Sequence, residues 1–333
     1  MKRQYRILFF LIGIAGIVLL AIKADPGGTD WKELFTPMLP LFLLSLLLLW
    51  AFIYAVHARV YRIIIGEGPS TISRLQLYRI CVSGFALNNV TPAGLIGGEP
   101  YRILELKTFI PTGKATSSTI TFSLLYVMGH MLIWLTGAII YAAYGCPGGV
   151  FATVILFATG IVSLIVCVYF FEKKHSGLAV PLFRRLTKLP LIGKKAAAFS
   201  LKNAAMLEET DRSYAEFCAD RKKLLRAILL EYLARILEGA EYYLIFLYLG
   251  VNVHLTGGIL ILTFASLIGN LLFMVPMQAG TREGGMAIAL DILGISSGLG
   301  VMGGLVYRIR DLICTIIGII IILAGGKKRA RTP

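Results

Sequence analysis

Two stretches of the sequence bring an acid and a base together among glycines and prolines, in otherwise apolar surroundings. In residues 88–102, Glu99 and Arg102 stand three apart, beside a proline and directly after two glycines. Proline blocks helix continuation and glycine permits sharp turns, so a helix is expected to break and restart here. A helix start attracts anions, and arginine grips phosphate through two parallel hydrogen bonds. We therefore predict that Arg102 binds a phosphate, that Glu99 holds Arg102 or meets a cationic group, and that Asn88 and Asn89 satisfy freed backbone groups or contact a headgroup.

The second stretch, residues 275–285, repeats the combination with Arg282 and Glu283 beside Gly280. We predict the same roles, a phosphate-binding arginine and a carboxylate that holds it. Two segments interrupted by glycine and proline, one in each half of the chain, are typical of a transporter site built from discontinuous helices. Irregular backbone at membrane depth persists only where protein covers it or water reaches it. The alternative is two turn-rich loops whose Arg–Glu pairs only fix the fold.

An apolar run, residues 224–249, carries four ionisable residues that share one helical face: Glu231, Arg235, Glu238 and Glu241. Such groups are costly inside a membrane, and they are usually paired and functional. Glu231 and Arg235 are the natural pair within the helix; Arg235 could also serve Glu238, which leaves Glu241 to find a partner elsewhere. We predict that Arg235, Glu238 and Glu241 contribute to a substrate site. The alternative is a structural polar seam between helices.

The composition indicates an integral membrane protein. Of 333 residues, 57% are hydrophobic and 15% are charged, against roughly 25% charged in soluble domains. The net charge of +15 comes mostly from Lys and Arg between apolar runs, which the positive-inside rule and anionic lipids explain without a nucleic-acid partner. The five scattered cysteines indicate neither a disulfide framework nor a zinc site. His130 is interpreted as a structural imidazole, and no motif predicts a metal or a cofactor.

The chain alternates apolar runs with basic or neutral connections. The predicted spans are residues 7–22, 38–56, 116–144, 150–171, 224–249, 256–275 and 305–324. Because basic loops stay in the cytoplasm, the N-terminus, residues 57–79 and residues 172–223 are expected there. The predicted fold class is all-α, a polytopic helical membrane protein with about seven to eight spans, two broken or re-entrant segments and, as a further option, an inverted repeat. Residues 1–333 are expected to form a single integral membrane domain.

Both motifs interrupt the series of spans. Residues 79–115 are expected to begin and end in the cytoplasm, and their apolar part, residues 80–90, is shorter than the ~20 residues of a span. We therefore favour re-entry at the first motif over two crossings. The second motif is predicted to interrupt a broken crossing helix. The cytoplasmic connection, residues 172–223, is expected to contain an amphipathic helix over residues 194–212, whose face near the headgroups has four members: Ala197, Leu201, Ala204 and Ala205.

The two motifs also carry a resemblance. Residues 91–102, which read TPAGLIGGEPYR, and residues 276–284, which read PMQAGTREG, resemble the two signature segments of the lysylphosphatidylglycerol synthase transmembrane-region family, also called the flippase-like (UPF0104) family. That family usually has Gly-Gly-Xaa-Gly before the second Arg-Glu pair, where this chain has MQAG at residues 277–280. Arg308 is similar to the family's arginine in the last span and is taken as a site residue on that ground. In bifunctional members the membrane domain moves the lipid and a separate aminoacyltransferase domain makes it. No such transferase domain is recognised in residues 1–333, so the resemblance implies a stand-alone translocase here.

The function expected is a translocase, or flippase, that moves an anionic or aminoacylated phospholipid across the cytoplasmic membrane, in which the protein is multi-pass. The alternatives are a transporter of a polyprenyl-phosphate-linked lipid and an integral-membrane lipid-modifying transferase with Glu99, Glu238 or Glu241 as base. A transporter is favoured over an enzyme. The expected partners are the phospholipid substrate and the bilayer, with a separate lipid synthase and a second copy of the chain as further options.

Overall fold

The computed structural model describes residues 36–66, 72–91, 97–173, 179–188, 193–272, 275, 278 and 280–329. The regular secondary structure of these residues is entirely helical. In chain order the helices are α1 (Leu39–Ile65), α2 (Arg74–Val90), α3 (Gly98–Leu106), α4 (Thr112–Ala143), α5 (Gly149–Lys173), α6 (Ala179–Leu186), α7 (Gly193–Lys202), α8 (Ala204–Ala219), α9 (Arg221–Tyr248), α10 (Leu255–Leu271), α11 (Thr281–Ile292) and α12 (Leu299–Arg329). The predicted first span, residues 7–22, lies outside the described residues.

Among the described residues, three helices are long and apolar enough to cross a membrane: Leu39–Ile65, Thr112–Ala143 and, within α5, Ala152–Tyr169. Helices α9 and α12 have 28 and 31 residues, but they carry charged side chains within their apolar sequences. The multi-pass helical fold predicted from the sequence is therefore confirmed. Helix α1 continues past the predicted end at residue 56, which places His57 inside a helix and not in a loop.

Helices α2 and α3 form a hairpin. The backbone N–H of Gly98 donates to the side-chain oxygen of Asn88 at 2.7 Å. A Cβ atom on Gly98 would lie only 2.4 Å from the carbonyl oxygen of Gly84, so α3 runs back along α2 in close contact. Leu106, at the end of α3, joins the apolar cluster that contains Leu77, near the start of α2. The two ends of the hairpin lie together, which agrees with the predicted re-entry of residues 79–115.

Helices α10 and α11 form a second hairpin, and here the prediction of an interrupted crossing helix is wrong. A Cβ atom on Gly285 would lie 2.6 Å from the carbonyl oxygen of Phe264, and one on Gly257 would lie 3.5 Å from the Leu293 side chain. Helix α11 therefore runs back along α10, and the described residues of the second motif, 275, 278 and 280–285, lie at the tip end of the hairpin. The 12 residues of α11 cover about 18 Å at 1.5 Å per residue, less than the ~30 Å of a hydrocarbon core.

The two hairpins enter the bundle from opposite ends. At one end, here called the upper end, Tyr248 of α9 bonds Thr36 beside α1, and Tyr144 at the end of α4 bonds Thr256 of α10, both at 2.9 Å. The second hairpin begins at this end, whereas the first begins at the opposite, lower end, after α1 has run the length of the bundle. Helix, hairpin and helix thus follow one another in α1–α4 and again, in the opposite direction, in α9–α12. This arrangement is an inverted repeat.

The apolar core has a lower and an upper part, and α9 contributes to both. Ala227 and Ile228 belong to the lower cluster, and Tyr242 and Phe246 to the upper cluster. Glu231, Arg235, Glu238 and Glu241 lie between these two sets along the helix. Helix α5 lies on the outside and exposes apolar side chains such as Ile165, 61% exposed. A helix with this surface suits lipid, since soluble proteins rarely expose contiguous apolar patches.

The prediction of one amphipathic helix over residues 194–212 is wrong in its extent. The helix is interrupted at Asn203, and the segment forms the two helices α7 and α8. Helix α8 buries Thr210 and Tyr214, and the Thr210 carbonyl accepts a hydrogen bond from Ser117 of α4 at 3.0 Å. Leu201, on the predicted headgroup face, is 81% exposed. The placement of this segment at the membrane surface stays a prediction.

Candidate functional site

The first hairpin holds its acid and base together. Arg102 is 6% exposed and donates through Nη1 to Oε1 of Glu99 at 3.2 Å. Its side chain crosses directly over Gly84, where a Cβ atom would lie 2.4 Å from Arg102 Nε. Its guanidinium carbon lies 5.2 Å from the centre of the Phe122 ring. Among the described residues, Arg102 Nε and Glu99 Oε2 have no hydrogen-bond partner. The pair can therefore form further hydrogen bonds, one as donor and one as acceptor.

Arg235 is the centre of a second cluster, and it is 1% exposed. It donates to Glu238 Oε2 at 2.7 Å, and its guanidinium lies 4.3 Å from the centre of the Tyr126 ring. Glu231, predicted as its partner within the helix, instead accepts from His57 Nδ1 at 3.0 Å. His57 and His130 both turn a ring nitrogen toward Arg235, at 3.2 Å and 3.4 Å.

Glu241 faces away from that cluster, toward α12. It forms a buried ion pair with Arg310, which also donates to Asp311 at 2.7 Å. The amide of Asn89, at the end of α2, reaches Asp311 at 3.4 Å and Thr315 at 3.0 Å. The tip of the first hairpin is thus attached to α12, and through α12 to α9.

In the second hairpin the predicted pair does not form. Glu283 accepts from the backbone N–H of Gly280 at 2.8 Å, which caps α11, and it forms an ion pair with Arg308 of α12. Gly280 has φ 79°, a left-handed conformation that glycine adopts without strain. Arg308 also donates to the Gln278 carbonyl at 3.3 Å. Glu283 and Arg308 therefore fix the hairpin to the last helix.

Arg282 is left with neutral partners among the described residues. It donates from Nε and Nη2 to Oε1 of Gln278 at 3.1 Å and 2.7 Å, and from Nη1 to the hydroxyl of Tyr242 at 3.5 Å. Its guanidinium carbon lies 4.6 Å from the centre of the Tyr307 ring. Arg282 is partly buried, and withdrawing a guanidinium from water without a bonded carboxylate is costly. A negatively charged group from a ligand would complete this site.

These groups belong to one region. Tyr54 of α1 lies within electrostatic range of Arg102, Glu238 and Asp311, and Arg282 lies within range of Glu238 and Asp311. Four of the charged side chains keep about a fifth to a quarter of their surface exposed: Glu99, Glu238, Arg308 and Asp311. They mark the edge of a polar region between the two hairpin tips, and the fully buried pairs lie behind them.

All ten residues named from the sequence lie in this region or in the pairs that support it. Sequence reasoning missed several of their partners: His57, Tyr126, Tyr242, Gln278, Tyr307, Arg310 and Asp311. Arg310 and Asp311 were detectable as charges in an apolar run, but His57 lay beyond the predicted end of its span. In the described part of the chain, no cluster of three His, Cys, Asp or Glu residues could hold a metal ion.

Comparisons with known proteins find similarity to membrane proteins. A family model described as the lysylphosphatidylglycerol synthase TM region matches residues 6–318. Two similar proteins come from Methanothermobacter thermautotrophicus (strain Delta H), and each is named a UPF0104 membrane protein. One is 24% identical over 330 residues, which cover 93% of this chain and 91% of the relative. The other is 25% identical over an alignment of 342 positions, which spans 98% of this chain and 95% of the relative.

Proposed function

This chain belongs to the lysylphosphatidylglycerol synthase TM-region family, and from that premise we propose that it is a lipid translocase. The substrate is an anionic or aminoacylated phospholipid, and the membrane is the cytoplasmic membrane. Its headgroup crosses through the polar region between the two hairpin tips, while its acyl chains stay in the bilayer. The exposed apolar surface of the outer helices places the protein in the bilayer, where its substrate lies.

The observation that carries the proposal is the environment of Arg282. Its guanidinium lies between Gln278, Tyr242 and Tyr307, with no carboxylate bonded to it in the described residues. The other arginines of the region each have one: Glu99, Glu238, Glu283 and Glu241. A phosphodiester brings one negative charge and the oxygens that a guanidinium binds best. Arg282 is therefore the primary phosphate ligand, and Arg102 is the corresponding arginine of the inverted half.

The inverted repeat supports movement in both directions. Since each hairpin enters from its own end, one arginine stands nearer to each side of the bundle. A headgroup that leaves Arg102 for Arg282 crosses the region without meeting the hydrocarbon core. The glutamates bonded to the arginines keep the empty site near neutral, which lowers the cost of releasing the lipid. An aminoacyl group, with its ammonium, would meet the partly exposed Glu99 or Glu238.

The test is a headgroup-accessibility assay in proteoliposomes with a panel of labelled lipids: phosphatidylglycerol, an aminoacylated phosphatidylglycerol, a zwitterionic phospholipid and a polyprenyl phosphate. We expect transport of phosphatidylglycerol or its aminoacylated form. Arg282→Ala and Arg102→Ala should raise the half-saturating lipid concentration about ten- to a hundredfold, because one charged hydrogen bond contributes roughly 1.5–3 kcal/mol. Arg102→Lys should lose less, since lysine keeps the charge but not the two-point grip.

The matched control is Arg212→Ala, which removes an 82% exposed arginine on α8 and should leave transport unchanged. Wild-type half-saturation in both Arg282→Ala and Arg102→Ala would exclude the phosphate site. Preference for the polyprenyl phosphate would assign the same site to that class of lipid. Formation of a new lipid product by the purified protein would replace the translocase with a transferase.

A further inference from the structure

Arg235 is surrounded by hydrogen-bond acceptors from three helices. Glu238 on its own helix accepts at 2.7 Å. His57 of α1 and His130 of α4 approach two of its nitrogens through their Nε2 atoms, at 3.2 Å and 3.4 Å. A buried arginine with two imidazole partners is unusual, because imidazoles carry a positive charge themselves when protonated.

The donors and acceptors fix the protonation state of both rings. Arginine has only N–H donors, so each Nε2 must accept and carries no proton. The remaining nitrogens face acceptors: Nδ1 of His57 faces Glu231 Oε1 at 3.0 Å, and Nδ1 of His130 faces the Tyr126 carbonyl at 3.1 Å. Both imidazoles are therefore neutral, with the proton on Nδ1. A second proton on either Nε2 would turn an acceptor into a donor and break the bond to Arg235.

Glu231 makes His57 the more receptive of the two imidazoles. The carboxylate is 0% exposed, and its Oε2 has no hydrogen-bond partner among the described residues. An imidazolium at His57 would form a direct ion pair with Glu231 across the existing 3.0 Å contact. The carboxylate is thus partly unsatisfied in the neutral state and gains a charged partner when a proton arrives.

We propose that His57 is a proton-binding site, with His130 as the second imidazole bonded to Arg235, and that lipid translocation is coupled to proton movement through this site. A proton adds to Nε2 of His57 to give the imidazolium, and the hydrogen bond from Arg235 breaks. The Arg235 guanidinium stays bonded to Glu238 and turns its freed Nη2 toward the edge of the polar region, where it meets the lipid phosphate. When the lipid leaves, Arg235 returns to His57 and the proton departs. The coupling rests on the proposed translocation, whereas the proton site itself does not.

Each charged or titratable group that faces the two imidazoles has a part in this exchange. Helix α9 contributes Glu231, Arg235 and Glu238. Helix α4 contributes Tyr126, whose ring centre lies 5.7 Å from that of His57. Tyr54, on α1 itself, lies 5.2 Å away, and Arg282 of α11 acts on His130 through space. Arg235 and Arg282 disfavour a positive charge on the imidazoles, and Glu231 and Glu238 favour it. The arrival of a phosphate near Arg235 and Arg282 reduces the repulsion, which ties proton binding to lipid binding.

The proton site is tested without lipid translocation. Full-length wild-type protein in detergent, labelled at its histidine rings, is titrated by NMR between pH 8 and pH 5, a range centred near the usual histidine pKa of ~6.5. We expect one buried ring that is Nδ1-protonated at high pH and takes up a second proton as pH falls, and that is missing in His57→Gln. A His57 ring that stays neutral down to pH 5 in folded protein would overturn the proposal.

The coupling is tested in liposomes of a zwitterionic phospholipid that contain a trace of headgroup-labelled phosphatidylglycerol. With one proton per lipid, a difference of one pH unit sustains about a tenfold ratio of labelled lipid between leaflets. His57→Gln keeps an acceptor and a donor but cannot titrate, so it should move lipid to an equal distribution only. His254→Gln, which replaces an exposed histidine before α10, is the matched control and should keep the tenfold ratio.

The outcomes separate this inference from the proposed function. If the wild type equilibrates lipid but shows the same distribution with and without the pH difference, coupling is wrong and translocation stands. If the histidine titrates but no lipid moves, translocation is wrong and the proton site stands. A monodisperse elution profile for His57→Gln establishes that its loss of coupling does not come from misfolding.

Discussion

Glu238 and Glu241 lie within one turn of α9, but their surroundings differ. Glu238 keeps 23% of its side chain exposed at the edge of the polar region, where it accepts from Arg235. Glu241 is 2% exposed and forms an ion pair with Arg310, which is 3% exposed. Glutamine at 241 leaves Arg310 bonded to Asp311, away from the edge of the polar region, whereas glutamine at 238 takes the bonded carboxylate from the 1% exposed Arg235 at that edge. The two carboxylates should therefore respond differently to the same substitution.

We expect Glu241→Gln to destabilise the protein by less than the ~3 kcal/mol of a fully broken buried pair, because Arg310 keeps Asp311, and to lower transport only as far as folded protein is lost. Glu238→Gln should lower the melting temperature too, because the 1% exposed Arg235 loses its bonded carboxylate, but it should also lower the transport rate per folded molecule. Thermal unfolding in detergent and the proteoliposome assay measure the two effects. Glu216→Gln, at a 66% exposed surface pair, should change neither quantity. A Glu241→Gln protein with unchanged melting temperature and no transport would contradict this division.

The charged residues of the site could be identified from the sequence, because charges within apolar runs stand out against their surroundings. Their partners could not, since spacing along a helix reports only on neighbours within that helix. Glu231 and Arg235 are at ideal spacing, yet Glu231 bonds His57 of α1. Glu283 stands next to Arg282 in sequence, yet it pairs with Arg308. Packing between helices decides these pairings, and one sequence contains no direct record of it.

Glycines make the close contact within each hairpin possible. Gly98 and Gly285 lie where a Cβ atom would approach a carbonyl oxygen of the facing helix to 2.4 Å and 2.6 Å. Backbone atoms cannot move aside as a flexible side chain can. Gly284, next to one of them on α11, has no atom within 4 Å of its ideal Cβ position. This difference gives a test of the hairpins that does not depend on function.

Gly98→Ala and Gly285→Ala should each lower the melting temperature, because the helices must separate to admit the methyl group. Gly284→Ala should keep or raise it, since alanine is favoured over glycine within a helix by about 1 kcal/mol. Unfolding scans of the three purified variants in one detergent provide the comparison. Equal melting temperatures for Gly284→Ala and Gly285→Ala would show that α11 does not lie against α10 as described.

Most helices could be placed from the sequence, whereas the way some are joined could not. Apolar runs located α4 and α5 to within a few residues. The shortness of residues 80–90 already indicated re-entry, because a segment of this length cannot reach across the bilayer. The second hairpin was missed, since residues 256–275 alone are long enough to cross. The break at Asn203 was missed as well, because alanines on both sides favour a continuous helix.

At the scale of the whole molecule, the two ends of the bundle differ in charge. The connections at the upper end, residues 145–149, 250–254 and 293–298, contain no Lys or Arg. Arg74 and Arg221 begin helices at the lower end, and residues 172–223 add many more basic residues. Basic loops remain in the cytoplasm, so the lower end should be cytoplasmic. The first hairpin then begins and ends at the cytoplasmic side of the membrane, and the second hairpin begins and ends at the outer side.

Single-cysteine labelling tests this topology together with the inverted repeat. Ser73 and Thr112 flank the first hairpin at the lower end, and Asn252 and Ser297 flank the second at the upper end; all four are exposed. In a Cys146→Ser background, whose remaining described cysteines are buried, a membrane-impermeant maleimide added to intact cells should label cysteines at Asn252 and Ser297 only. Those at Ser73 and Thr112 should react after the membrane is opened. Opposite sidedness of Ser73 and Thr112 would make residues 79–115 a crossing segment. If a cysteine at Ser297, like the one at Thr112, reacts only after the membrane is opened, both hairpins begin on the same side of the membrane. The two halves could not then be inverted copies.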